Sequence, residues 1–162
     1  MNVTVHSAHI LKHSITLQQY VKKRNGLPLG ASGSLKAMLK NAFGAPSFDI
    51  FWNYWNPIWG FYLSRYVMRP LNKYLYGPIA FILTFTLSGA LHDVAVSLVK
   101  WEVVFLITPW FTLMGVIAYL FDGFHIRFHS AKFVTRSIIN AAIIFASYAV
   151  MWWFCQEATE LF

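Results

Sequence analysis

The chain has 162 residues, of which 57% are hydrophobic, 19% aromatic and 12% charged, and its formal net charge is +7. A water-soluble domain normally carries about 25% charged residues, so this composition argues against an ordinary soluble domain. With one cysteine, Cys155, an intramolecular disulfide is excluded. We expect a single all-α integral membrane domain over residues 1–162.

The first 46 residues form a basic segment that we expect to lie in the cytoplasm or at the membrane interface. Residues Val3–Val21 could form a weakly amphipathic helix. Residues Asn25–Ser34 contain several glycines and a proline, which favours a loop. Residues Ser34–Phe43 could form a short basic helix with Ser34 as its N-cap. No continuous apolar run opens the chain, so a secretory signal is not expected.

The next segment, residues 47–100, begins with an aromatic-rich stretch, Phe51–Met68. Pro57 and Gly60 interrupt it, so a clean transmembrane helix is not expected there. We interpret this stretch as helices that lie in the interface or re-enter the membrane.

Three apolar segments are candidates for crossing a bilayer, which takes about 20 residues. They are Tyr76–Leu98, Trp101–Phe121 and Ile138–Phe154. The last two lie in residues 101–162, which we interpret as a segment with two further spans. The first two are separated by only Val99 and Lys100, which predicts a tight antiparallel hairpin. The sequence therefore indicates about three transmembrane helices.

The basic residues are divided unequally between the two sides that three spans would define. One side has only Lys100. By the positive-inside rule, the N-terminus is cytoplasmic and the C-terminus lies outside, in the inner or cell membrane if the organism is bacterial. The other side, formed by the N-terminal region and residues 122–136, has Lys12, Lys22, Lys23, Arg24, Lys36, Lys40, Arg65, Arg69, Lys73, Arg127, Lys132 and Arg136.

Polar side chains occur in the middle of the first predicted span. Thr84, Ser88 and His92 are spaced four residues apart and share one helix face, and Asp93 follows. Ionisable residues within a span are costly and mark functional sites, and a neutral imidazole can accept a proton from an alcohol. The alternative is that His92 and Asp93 hydrogen-bond to neighbouring helices and hold them together.

Three motifs occur in order along residues 47–100. They are FWNYWNP at 51–57, YVMRPL at 66–71 and SGALHD at 88–93. Together they resemble the core signature of the membrane-bound O-acyltransferase (MBOAT) family: FWxxW followed by Asn or His, a YxxxPL-like segment, and a span with SGxxH. The Asn56-Pro57 pair is similar to the wax synthase and sterol and diacylglycerol acyltransferase branch, rather than to the sugar-polymer branch, which has His.

The resemblance implies acyl transfer from a thioester, acyl-CoA or acyl carrier protein, to a hydroxyl. It implies that His92 is the general base, that Asn56 lines the reaction chamber, and that Asp93 is the acidic residue that follows the histidine in some members. It also implies substrate-binding roles for Trp52, Trp55 and Ser88.

Family members usually have several hundred residues, so the rest of the chamber would have to come from another copy or another protein. We therefore expect a homo-oligomer or a larger membrane complex. The alternative function is a non-catalytic accessory or scaffold subunit derived from the family.

Other ligands are not expected. The histidines at 6, 9 and 13 and at 125 and 129 follow helical spacing, but no cysteine or carboxylate accompanies them at metal-ligand spacing. No groove-reading motif accompanies the positive charge, which argues against a nucleic-acid partner. We expect no resident metal or cofactor.

Overall fold

A computed structural model describes residues 15–160 of the chain, with the side chains of residues 15–157. All of the regular secondary structure in this part is helical, which confirms the all-α prediction. The helices are α1 (Leu17–Asn25), α2 (Ser34–Phe43), α3 (Phe48–Tyr54), α4 (Pro57–Leu63), a π-helical turn (Ser64–Met68), α5 (Arg69–Leu71), α6 (Gly77–Lys100), α7 (Ile107–Gly123) and α8 (Phe133–Glu160).

The two N-terminal helices follow the predicted plan with small differences. Helix α1 begins after Thr16, whose hydroxyl forms a capping box with Gln19, and it continues four residues past the predicted end. Residues 3–14 of the predicted helix over 3–21 lie outside the described residues. Helix α2 has the predicted bounds, but Gly33 is its N-cap at φ 81°. The prediction that Ser34 is the cap is therefore wrong: its hydroxyl accepts a hydrogen bond from the Asn25 side chain at 2.7 Å.

The aromatic stretch forms two helices, α3 and α4, with a break at residues 55 and 56. Pro57 is the first residue of α4, a position at which its missing N–H costs no hydrogen bond. The prediction that Gly60 interrupts a helix is wrong, because Gly60 lies inside α4 and its N–H donates to the Asn56 carbonyl at 2.9 Å. The chain then passes through the π-helical turn toward the start of α6.

The last three helices differ from the predicted segments at their ends. Helix α6 continues through residues 99 and 100 and ends where Trp101 adopts a left-handed conformation. The predicted two-residue hairpin connection is therefore wrong, because residues 101–106 form the connection. Helices α6 and α8 are long and apolar enough to cross a bilayer, whereas α7 is a shorter apolar helix of 17 residues.

Helices α6 and α7 are antiparallel and approach closely at two glycines. A Cβ added to Gly89 on α6 would lie 2.7 Å from the Ile107 carbonyl oxygen and from Thr108 Cα. A Cβ added to Gly115 on α7 would lie 2.9 Å from Phe85 Cβ. The two glycines thus allow close contact between α6 and α7.

An aromatic core joins α3 to the long helices. Phe48 and Phe51 of α3 and Met114 of α7 are fully buried together. Helix α8 packs against α7, where the indole N–H of Trp110 on α7 donates to the Ser147 hydroxyl on α8 at 3.0 Å. Asn140, also fully buried, donates to carbonyl oxygens at the end of α2.

The loop between α7 and α8 lies beside the start of α3. Arg127 forms ion pairs with Asp49 at 2.7 Å and Asp122 at 3.2 Å, and it also donates to Ser47 at 2.8 Å. The buried Ser47 hydroxyl contacts Asp49 as well. Residues 44–49 and the basic loop 122–136 therefore meet at one end of the helices.

Candidate functional site

His92 lies on α6 with an exposed side chain. Its Nδ1 is 2.6 Å from the backbone carbonyl oxygen of Ser88. Because a carbonyl oxygen can only accept, Nδ1 carries the hydrogen. In the neutral ring the second nitrogen, Nε2, then has a free lone pair.

Two aromatic rings flank the His92 ring. Phe111 of α7 stacks on it with ring centroids 5.1 Å apart and an interplanar angle of 29°. Trp59 of α4 meets it edge-on, with centroids 5.9 Å apart and an angle of 87°. Three helices thus contribute to the setting of one imidazole, which restricts the directions that Nε2 can face.

Trp59 is linked by hydrogen bonds to the residues on both sides of it. Its indole N–H donates to the hydroxyl of Ser88 at 2.8 Å. Its backbone N–H donates to the side-chain oxygen of Asn56 at 3.2 Å. Asn56 is the N-cap of α4 and has φ 40°, a left-handed conformation that asparagine tolerates better than most residues.

The predicted residues Asn56, Ser88 and His92 are therefore brought into one network. Trp59 connects Asn56 to Ser88, and the Ser88 carbonyl orients His92. Asn56 reaches the histidine only through these contacts. We name this set, Asn56, Trp59, Ser88, His92 and Phe111, the histidine cluster.

Asp93 has a different setting from its neighbour. Its buried carboxylate accepts from the backbone N–H groups of Leu106 at 3.3 Å, Ile107 at 2.9 Å and Thr108 at 2.7 Å. It also accepts from the Thr108 hydroxyl at 2.6 Å. These donors form the N-terminus of α7, so Asp93 caps that helix from α6. The hydrogen bonds support the structural interpretation of Asp93, and its predicted catalytic role remains a prediction.

The two tryptophans predicted to bind substrate belong to the aromatic core. Trp55 stacks on Phe51 with centroids 5.4 Å apart. Trp52 packs edge-on against Phe85 at 5.0 Å and lies 6.2 Å from Phe111, which stacks on His92. Trp52 is therefore one residue removed from His92, and its buried indole N–H has no hydrogen-bond partner in the described part.

The histidine cluster is open along the outer face of α6. Val99, two turns after His92 on the same side of α6, is 81% exposed. A groove of about 460 Å³ lies elsewhere, between α2 and α8. Within residues 15–157, no three histidine, cysteine or carboxylate side chains are grouped as metal ligands. The histidines at 6, 9 and 13 lie outside the described residues.

Sequence reasoning did not identify Trp59 or Phe111. Trp59 is three residues after Asn56, with a proline between them. An N-cap side chain accepts a hydrogen bond from the backbone N–H three residues later, so this spacing was an available signal. Phe111 has no such signal, because it is one of 15 phenylalanines and its contact depends on how α7 packs on α6.

Comparison of the chain with protein-family models, with curated proteins and with solved structures found no match. The resemblance to the MBOAT family therefore rests on the three sequence motifs alone.

Proposed function

We propose that the chain is a membrane-embedded O-acyltransferase subunit in which His92 is the general base. The observation that supports this most is the hydrogen bond from Nδ1 to the Ser88 carbonyl, which leaves Nε2 free to accept a proton. The three-motif resemblance supplies the reaction class and the thioester donor, acyl-CoA or acyl carrier protein.

In the proposed reaction, Nε2 takes the proton of the acceptor hydroxyl as its oxygen attacks the thioester carbonyl carbon. A C–O bond forms, and the carbonyl π electrons move to oxygen. The tetrahedral intermediate collapses, the C–S bond breaks, and the thiolate leaves with the proton returned from the imidazolium. Ester and free thiol are the products. Phe111 and Trp59 hold the ring in place through both transfers.

We propose that α6, α7 and α8 all cross the bilayer, with the N-terminus in the cytoplasm. The apolar length of α6 and α8 supports this placement. At 17 residues, α7 spans only about 26 Å, so local thinning of the bilayer or the connection at 101–106 would complete its crossing. The basic groups gathered at one end favour the cytoplasmic side.

Helices α3 and α4 fit a re-entrant segment in this placement. The chain leaves the end near Arg127 at Ser47 and reaches His92 at Trp59. His92 is 15 residues into α6, or about 22 Å along its axis. The chain then returns to the start of α6 at Gly77, so the segment enters and leaves on one side.

We propose that a second chain, a copy or a different protein, completes the reaction chamber over the exposed flank of His92. General-base chemistry on a thioester benefits from a site that excludes bulk water. His92 is exposed on this flank, and so is Val99 at 81%, two turns later on the same side of α6, so the flank is open to a covering chain.

The exposed surfaces of α6 and α8 favour the second candidate function, a non-catalytic accessory subunit. Only 11% of the most apolar part of α8 and 28% of that of α6 are buried within the chain. Much of both helices is thus available to a larger membrane complex. On this alternative, His92 is a structural hydrogen-bond donor to Ser88.

The experiment that separates the two functions replaces His92 with Gln in the full chain. Glutamine retains an N–H donor for the Ser88 carbonyl but cannot take a proton. The enzyme proposal expects normal assembly and loss of transfer from labelled acyl-CoA or acyl carrier protein in membranes. His125→Gln, outside the histidine cluster, is the control. Unchanged transfer in His92→Gln would overturn the enzyme proposal and leave the accessory one.

A further inference from the structure

An open groove of about 460 Å³ lies between α2 and the start of α8. It shares no lining residue with the histidine cluster, and its volume is within the range of roughly 300–1,000 Å³ usual for small-molecule sites. Its lining comprises Leu35, Lys36, Leu39, Lys40, Phe43, Phe133 and Ser137.

The groove combines two rows of side chains from α2. Lys36 and Lys40 are one helical turn apart and share a face. Leu35, Leu39 and Phe43 form the neighbouring row at the same spacing. Both leucines are exposed, at 67% and 37%. A molecule that matches the two rows has an anionic group beside a hydrocarbon chain.

The opposite wall is fixed by the start of α8. The Phe133 ring packs over Gly44, where an added Cβ would lie 2.6 Å from a ring carbon. One turn later, the Ser137 hydroxyl donates to the Phe133 carbonyl at 3.0 Å. The wall therefore presents an aromatic ring and few free polar groups to an occupant.

The charge of the two lysines is not balanced within the described part of the chain. The ion pairs found among residues 15–157 both belong to Arg127, which occupies Asp49 and Asp122. These are the carboxylates near this end of the helices. An anionic occupant would therefore meet uncompensated positive charge.

We propose that this groove binds one anionic phospholipid, with its phosphate at Lys36 and Lys40 and an acyl chain along Leu35, Leu39 and Phe133. The site lies at the basic end of the helices, where the proposed topology puts the anionic cytoplasmic leaflet. This inference rests on the membrane placement proposed above and not on acyl transfer. Bound there, the lipid fastens α2 to α8.

The test is competition between two lipids for the purified full chain in neutral detergent. Equimolar phosphatidylglycerol and phosphatidylcholine with identical acyl chains are added, and native mass spectrometry gives the ratio of the bound species. A lysine near an anionic surface favours binding by roughly fivefold. We expect the phosphatidylglycerol preference to fall by up to about 25-fold in the double variant K36Q/K40Q.

Two matched variants separate a built site from general attraction. K22Q/K23Q removes the same charge from exposed positions on α1 and should retain most of the preference. Ser137→Trp fills the groove without changing charge and should lose the tightly bound lipid. Equal losses in K36Q/K40Q and K22Q/K23Q, or full binding in Ser137→Trp, would overturn the proposal.

Further arms distinguish other occupants and other failures. If acyl-CoA displaces the bound phosphatidylglycerol at equal concentration, the groove belongs to a thioester donor and the phospholipid proposal is wrong. His92→Gln should leave the ratio of bound lipids unchanged. The lipid site can therefore be supported even if the chain has no acyl-transfer activity. A chain that alkaline extraction removes from membranes would overturn both the membrane placement and the lipid site.

Discussion

At the residue scale, adjacent side chains on α6 have opposite surroundings. The His92 ring is exposed and its Nε2 is free, whereas the Asp93 carboxylate is buried and accepts four hydrogen bonds at the start of α7. Neighbouring residues on a helix face directions about 100° apart, so one can face outward while the next faces the packed side. The carboxylate acceptors of Asp93 are therefore occupied at a helix start, whereas one ring nitrogen of His92 is free for a proposed chemical role.

We expect Asp93→Asn to destabilise the chain. One carboxylate oxygen accepts from Leu106 and Ile107 and the other from Thr108. The amide keeps one of these acceptors and turns an NH2 donor toward the other set of donors, and a buried unsatisfied group costs about 1–3 kcal/mol. The apparent unfolding temperature in detergent should fall. Glu102→Gln, an exposed acidic residue in the connection 101–106, is the control and should change little. Loss of acyl transfer in Asp93→Asn at unchanged stability would instead support the predicted catalytic role.

We expect the effect of replacing Asn56 to depend on the backbone. Its φ of 40° suits glycine better than alanine. Asn56→Gly should therefore cost only a few tenths of a kcal/mol, the usual cost for a glycine at an N-cap, and Asn56→Ala about 1 kcal/mol or more. Thermal unfolding of both variants checks this order. If Asn56 also touches the substrate, both variants should lose acyl transfer equally despite their different stabilities.

At the element scale, the close contact of α6 and α7 depends on two glycines that face the partner helix. Gly89 meets backbone atoms of Ile107 and Thr108, and backbone cannot move aside as a flexible side chain can. Gly115 meets side-chain atoms of Phe85 instead, the nearest at 2.9 Å. This spacing also allows Phe111 to stack on His92, so helix packing and the histidine cluster depend on each other.

We expect Gly89→Ala to push α6 and α7 apart, with a loss of about 1–3 kcal/mol, the usual range for overpacking. Its apparent unfolding temperature should fall, and acyl transfer should fall with it. Gly123→Ala near the end of α7 is a matched control, since an added Cβ there meets nothing within 4 Å. If Gly89→Ala instead changes only the oligomeric state, the glycine serves a contact between chains.

The sequence predicted these elements better than their ends. Apolar runs of about 17 to 23 residues indicated α6 and α8, and Pro57 indicated a break in the aromatic stretch, where α3 and α4 are separated. The sequence predicted that the first span ends at Leu98, but nothing at residues 99 and 100 breaks a helix. Helix α6 continues to Lys100 and stops where Trp101 adopts a left-handed conformation. The start of α7 was missed because its cap, Asp93, comes from another helix. Short-range patterns cannot reveal a cap that is 13 to 15 residues away.

At the scale of the whole molecule, the candidate site could be predicted only in part. Asn56, Ser88 and His92 were identifiable from motif order, and they meet through Trp59. The positions of Trp52 and Trp55 were not predictable, because an aromatic residue suits a packed core, a membrane interface and a substrate path equally well. Three-dimensional packing separates these settings.

The topology is testable at this scale. We expect reporter fusions after residue 74 and near residue 130 to be cytoplasmic, and fusions near residue 100 and at the C-terminus to be outside, because twelve of the thirteen basic residues then lie in the cytoplasm. Paired reporters, one active on each side, give the readout. A cytoplasmic C-terminal reporter together with an outside signal near residue 100 would mean that α8 does not cross.

The central claim is that His92 takes the proton of the acceptor hydroxyl. The most direct measurement is the rate of acyl transfer from saturating labelled donor in membranes, for the wild type and His92→Ala at equal amounts of inserted and assembled protein. General-base catalysis contributes about 10²–10⁴-fold, so the account predicts a fall of that size with insertion unchanged. Equal rates for the two proteins would contradict it.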